Sequence, residues 1–246
     1  MNRLAKLTVT ELKLFMRDPI AWFFAIAFPP LLLVILGSIP AFREPSEDLG
    51  GLRVIDLYVP IMVGFVLAML AISVVPTYLA TYREKGILRR LSTTPVHPAG
   101  LLGAQVAMAL LIALFAVTLV LGVGIVAFDT ALPGQPAGFL VAFVLAAASL
   151  LSVGVLVAAV APSGRAASGI GTMLFFPMMF FAGLYVPRDA MPAVLRRIGD
   201  FTPLGAGVQA LQDAAGGAWP QPLHLAVMAA FAVVAGLAAA RLFRWE

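Results

Sequence analysis

The chain has 246 residues, 62% of them hydrophobic and 11% charged, and its mean hydropathy is +1.02. Uncharged runs of the length found here exceed what a soluble core of this size needs, so the composition excludes an ordinary water-soluble domain and points to the bilayer as solvent. The absence of cysteine excludes a disulfide framework, a thiolate metal site and a cysteine nucleophile, and the net charge of +4 is read by its placement rather than as affinity for nucleic acid.

A membrane span needs ~20 mostly apolar residues. Six uncharged runs reach that length: 19–42, 57–82, 98–128, 130–164, 166–187 and 214–240. The expected fold class is an all-α integral membrane protein forming one domain over residues 1–246. Its spans are placed at about 20–40, 57–80, 99–127, 138–161, 168–187 and 221–241. The first run has no small-residue cleavage site at its end, so a retained span is expected rather than a cleaved signal.

Residues 1–18 precede the first span. In "RLAKLTVTELKLFMRDP", Leu4, Leu7, Leu14 and Phe15 share one helical side while Lys6, Lys13 and Arg17 share the other, which predicts an amphipathic helix lying flat on the membrane. Thr8 and Glu11 have the spacing of a capping box, so Glu11 is either a helix-start residue or a contact residue. Asp18 and Pro19 then turn the chain into the bilayer.

Between the second and third spans lies "TYREKGILRRLSTTPVHP", residues 81–98. Ile87, Leu88 and Leu91 fall on one face of a short helix, with Arg83, Lys85, Gly86, Arg89 and Arg90 on the other; Pro95 ends it and Pro98 opens the next span. Glu84 falls in the middle of the apolar face, where an unpaired carboxylate is costly, so it is expected to have a cationic partner, Lys13 or Arg17 of the N-terminal helix. By charge alone the segment is equally a basic anchor on anionic lipid.

With the N-terminus in the cytoplasm, eleven of the sixteen Lys and Arg lie inside and eight of the twelve acids lie outside. This placement predicts a multi-pass protein of the cell membrane with both termini cytoplasmic. The fifth span concentrates Met173, Phe175, Phe176, Met178, Met179, Phe180 and Phe181 around Pro177, a soft and repackable apolar surface that is also ordinary span packing. Residues 188–219 alternate charge with short apolar stretches and are too broken to span; Ala193, Val194, Leu195 and Ile198 group as a buried face, so external short helices or re-entrant turns are expected. Pro29, Pro30, Pro60, Pro76 and Pro177 predict bends. His97 is read as a loop residue and His224 as a residue at the start of the last span.

The stretch "YREKGILRRLSTTPV" resembles the signature of type-2 ATP-binding-cassette exporter permeases, particularly the drug-resistance branch that includes daunorubicin-type exporters. "ELKLFMRDP" is similar to that family's N-terminal connecting helix, and "FFAGLYVPRDAMPAVLRRIGDFTPLGAGVQALQ" to its segment after the fifth span. Ile87 departs from many relatives, which have Thr or another residue there. The resemblance implies that residues 81–97 are a coupling helix seated on a separate ATPase, with Arg83, Glu84, Gly86, Leu88, Arg89 and Leu91 at the contact and Glu11, Lys13 and Arg17 on the connecting helix. It further implies a second permease copy, identical or not, and outward transport of a hydrophobic or amphipathic substrate, drug-like or lipid. Spans two and five would line the path, so Ser73, Thr77, Tyr78, Phe175, Phe176, Met179 and Phe180 are the pathway candidates, with Pro76 beside them.

No G-x-x-x-x-G-K-[ST] phosphate loop occurs in these residues, so ATP and Mg²⁺ are expected on the partner ATPase, with no cofactor, metal or catalytic residue here. Neither H-E-x-x-H nor a convincing Ser/His/Asp set appears, and no acid or base sits deep in a span to relay protons. Two alternatives remain. A polysaccharide or lipid-linked glycan exporter would line its path with sugar-binding aromatics and polar groups; a channel without ATP coupling would not need the signature at 81–97.

Overall fold

A computed structural model describes residues 3–46, 51–92 and 98–243. Among them there is no strand, only an isolated bridge between Pro45 and Arg53. The helices, in chain order, are α1 (Arg3–Met16), α2 (Pro19–Gly37), α3 (Val54–Glu84), α4 (Ile87–Ser92), α5 (Pro98–Phe128), α6 (Pro136–Val160), α7 (Gly164–Phe181), α8 (Ala193–Asp200), α9 (Pro203–Ala215) and α10 (Pro222–Leu242). Five of these, α2, α3, α5, α6 and α10, are long and apolar enough to cross a membrane. The expected fifth span, α7, is helical but falls short of that measure, because its first half, "GRAASGIGT", carries Arg165 and small or hydroxylated residues.

The centre of the bundle is α3, whose stretch from Ile55 to Leu67 is buried almost without interruption. α6 packs on α10 and α9, while α3 is held by α5, α6, α7 and α9. The N-terminal helix lies against α5.

Two helices widen into π turns, at Phe23–Ala27 in α2 and Met69–Val74 in α3, each just before a proline. The second has a readable cause. Pro76 has no N–H for the carbonyl of Ile72, and the Val75 N–H reaches back to Leu70, so Ala71 and Ile72 lose their ordinary α-helical donors. Glycines of two neighbouring helices fill the space over these carbonyls. A Cβ on Gly154 would collide with the Ala71 oxygen, and one on Gly171 would stand 2.5 Å from that of Ile72. Close backbone approach at small residues is how helices pack where lipid removes the hydrophobic drive.

Candidate functional site

The basic end of the bundle, which carries α1, is built around a buried acid. The stripe of α1 that faces inward is Thr8, Glu11 and Phe15, at helical spacing, whereas Leu4 and Leu14 stay exposed. Glu11 is 4% exposed, and its Oε2 accepts from the Tyr82 hydroxyl of α3 at 2.7 Å and from Nε2 of Gln105 in α5 at 2.6 Å. One carboxylate thus joins three helices. Burial pushes the Glu11 carboxyl above its ordinary value, and the Tyr82 hydrogen bond opposes that shift. Gln105 is fully buried and its Oε1 has no partner.

This corrects the capping-box reading. The helix has begun by Arg3, so Thr8 is interior and its hydroxyl donates to Leu4 O at 3.0 Å, leaving Glu11 free to reach across the bundle. Next along the chain, Asp18 caps α2 by accepting from Ala21 N at 3.1 Å, and its other oxygen accepts from the Tyr78 hydroxyl at 3.1 Å.

Two adjacent residues at the end of α3 hold the turn between α6 and α7. Arg83 donates to the carbonyl of Ala159 at 3.2 Å and to that of Ala161, where α6 runs out of intrahelical donors. Glu84 Oε2 accepts from Gly164 N at 2.9 Å, at the first turn of α7, beside Ser163, whose hydroxyl accepts from Ala166 N at 3.2 Å. A cation therefore meets a helix C-terminus and an anion a helix N-terminus, each matched to the end charge of its helix. The expected cation for Glu84 is replaced by this helix end. Lys13 and Arg17 are exposed, and no ion pair among the described residues joins either to Glu84.

Beyond the clamp the chain turns at Lys85 and Gly86, the latter at φ +65°, a conformation that favours glycine. The helix α4 then follows; since α3 itself runs to Glu84, the described part of the segment expected at 81–97 is divided between two helices. Leu88, expected at the contact, is 1% exposed and is buried within this chain rather than presented at its surface. Lys85 is exposed, as is Arg90. The side chains of Arg89 and Leu91 and all of residues 93–97, His97 included, lie outside the described residues.

A groove of about 670 Å³ runs between α2, α3 and α7. Ser73, Phe175 and Phe176 of the pathway candidates line it, joined by Phe24, Phe28, Phe65, Ser168 and Thr172. The rings form a series, with Phe28 and Phe65 centroids 5.3 Å apart, Phe65 and Phe175 at 5.4 Å, and Phe175 and Phe176 at 6.0 Å. The other candidates lie elsewhere. Thr77 donates to Ser73 O, Tyr78 is committed to Asp18, Met179 is fully buried in the core, and Phe180 packs edge-on to Phe181. The contribution of α2 has no signal in the sequence, because a phenylalanine in a span carries no mark of which neighbour it faces.

At the opposite end, His224 is 4% exposed, with Nε2 3.3 Å from Asp200 and Nδ1 3.9 Å from Asp213. Its sequence position signals only the start of a helix. Among the described residues no group of three His, Asp or Glu side chains could hold a metal ion.

A family model described as ABC-2 type transporter matches residues 3–215. Curated relatives include the "Probable multidrug ABC transporter permease YbhR" of Escherichia coli strain K12 and the protein of the same name in strain O157:H7. Each is 26% identical over 147 residues, which is 59% of this chain and 40% of the relative, so the match spans less than half of their length.

Proposed function

Because the chain belongs to the ABC-2 type transporter family, we propose that this multi-pass membrane protein is the permease of an ATP-driven exporter of apolar or amphipathic molecules. Its ATPase is a separate cytoplasmic chain that binds ATP and Mg²⁺, and a second permease copy completes the pathway. The basic end faces the cytoplasm with both termini. α7 serves as the sixth crossing, since its 18 residues rise about 27 Å, close to the hydrocarbon thickness, before the extended residues that follow.

The observation that carries this reading is the Arg83–Glu84 clamp. The turn at Lys85–Gly86 is the exposed tip of α3, and the two residues before it are bonded to the ends of α6 and α7. A push on the tip therefore moves three membrane helices together instead of bending one. α3 and α7 are also two walls of the phenylalanine groove, so the same displacement changes the groove's width. The multidrug description of the Escherichia coli relatives and the apolar groove lining both support apolar cargo.

The partner test is co-purification. A phosphate-loop ATPase of the ABC type is expected to be retained by the wild-type chain and lost on Lys85→Glu, which reverses charge at the exposed tip and touches no bond of the clamp. Equal retention by the variant would remove the tip from the docking surface.

A further inference from the structure

At the end of the bundle opposite the clamp, a pocket of about 460 Å³ lies among the start of α3, the end of α7, α8, α9 and the start of α10. Arg188, Arg196 and Arg197 line it, and among the described residues Asp200 is the carboxylate that faces them. The Nη2 of Arg188 donates to Asp200 and, at 3.3 Å, to the carbonyl of Arg196, but its Nη1 is buried with no partner. His224, also in the wall, has Nδ1 buried without a hydrogen bond, the 3.9 Å to Asp213 being too long for one. Buried donors without acceptors are costly, and a guanidinium N–H is the costlier kind. An oxyanion entering the pocket would satisfy Arg188 and sit among three guanidinium groups suited to phosphate or carboxylate.

The pocket adjoins the phenylalanine groove. Tyr58 lines both, its hydroxyl donating to Leu184 O at 3.1 Å. On the chain, Ala182 and Gly183 face the pocket and Leu184 and Tyr185 face the groove. Tyr58 and the backbone of residues 182–185 thus belong to the wall between a cationic cavity and an apolar one.

We propose that the two cavities together hold an anionic amphiphile, its phosphate or carboxylate head in the arginine pocket and its apolar part in the groove. This rests on the groove being the substrate path and names the class of substrate it takes. Free phosphate shares the head-group chemistry but has nothing to place in the groove.

The test uses the full chain in nanodiscs of phosphatidylcholine with or without phosphatidylglycerol, and bound lipid is counted by native mass spectrometry. Phosphatidylglycerol is expected to be retained over phosphatidylcholine, and the double variant R196Q/R197Q, both exposed side chains, to lower that preference about tenfold. The pair R165Q/R241Q, which removes the same charge at the other end, should change it less than about twofold. Inorganic phosphate titrated into phosphatidylcholine nanodiscs should bind far more weakly. Equal retention of the two lipids, a preference that survives R196Q/R197Q, or inorganic phosphate bound as tightly as the lipid would each overturn the proposal. No ATPase is present, so a negative result here leaves the docking test untouched, and a failed docking test leaves this one standing.

Discussion

Replacing Gly154 by alanine tests whether α6 truly rides on the bared carbonyls of α3. The added Cβ would overlap the Ala71 carbonyl oxygen and stand 2.9 Å from its carbon. Both are backbone atoms, so no rotamer change relieves the overlap, and one of the two helices must move. Overpacking of a tight interface costs typically 1–3 kcal/mol, and the rigid neighbour places this site near about 3 kcal/mol. For a chain of this size each kcal/mol corresponds to roughly 2–4 °C, so Tm in detergent should fall by about 6–12 °C. Thiol-reactive dyes cannot report on a chain without cysteine, but its three tryptophans can. Gly122, where an added Cβ meets only open space, is the control; Gly122→Ala should hold Tm or raise it slightly through helix propensity. A Gly154→Ala protein that melts with wild type would refute the packing account.

Glu11 gives a pH signature. Its carboxyl is raised above 4.5 by burial, so the fold prefers the neutral acid; that stability is complete below the unfolded value and is lost as pH rises through the raised folded one. Wild type should therefore gain Tm between neutral and mildly acidic pH, while Glu11→Gln should be more stable than wild type at neutral pH and gain less on acidification; identical pH profiles would exclude the buried carboxylate as the cause. Leu88→Asp should destabilise the permease alone by about 3 kcal/mol, lowering its Tm and yield, because Leu88 is 1% exposed within the chain. If that variant melts normally and loses only the ATPase, Leu88 belongs to the docking surface after all.

Hydropathy located the membrane segments because a span must satisfy its backbone internally and bury nothing charged, a demand that leaves long uncharged runs in any chain. α7 is found as an uncharged run but falls below the hydropathy of the other five, since small and hydroxylated residues serve close packing onto α3 and dilute the apolar signal. Glu84 was legible as an acid in need of a partner, but the partner is a backbone N–H eighty residues away, which no side-chain pattern announces. The capping-box reading of Thr8 and Glu11 failed because local spacing fits a helix start wherever it occurs, and only tertiary contacts with Tyr82 and Gln105 reveal the real use of the carboxylate. Pro29 and Pro76 each follow a π turn, but no sequence pattern shows that Pro76 strips donors from Ala71 and Ile72 and so creates seats for two glycines. Arg188 and His224 were invisible as partners of one carboxylate, because Asp200 gathers them from 12 residues before it and 24 after it in the chain.

The central claim is that the clamp carries motion from the ATPase-facing tip to the far end of the bundle. An environment-sensitive fluorophore on Val194→Cys, an exposed site on α8 in a chain with no other thiol, reads that far end directly in the assembled transporter. Wild-type clamp should give a change in emission on ATP binding, and Glu84→Ala should reduce it roughly fivefold or more while the ATPase stays bound and hydrolyses ATP. An undiminished ATP-driven change in the Glu84→Ala protein would contradict the account.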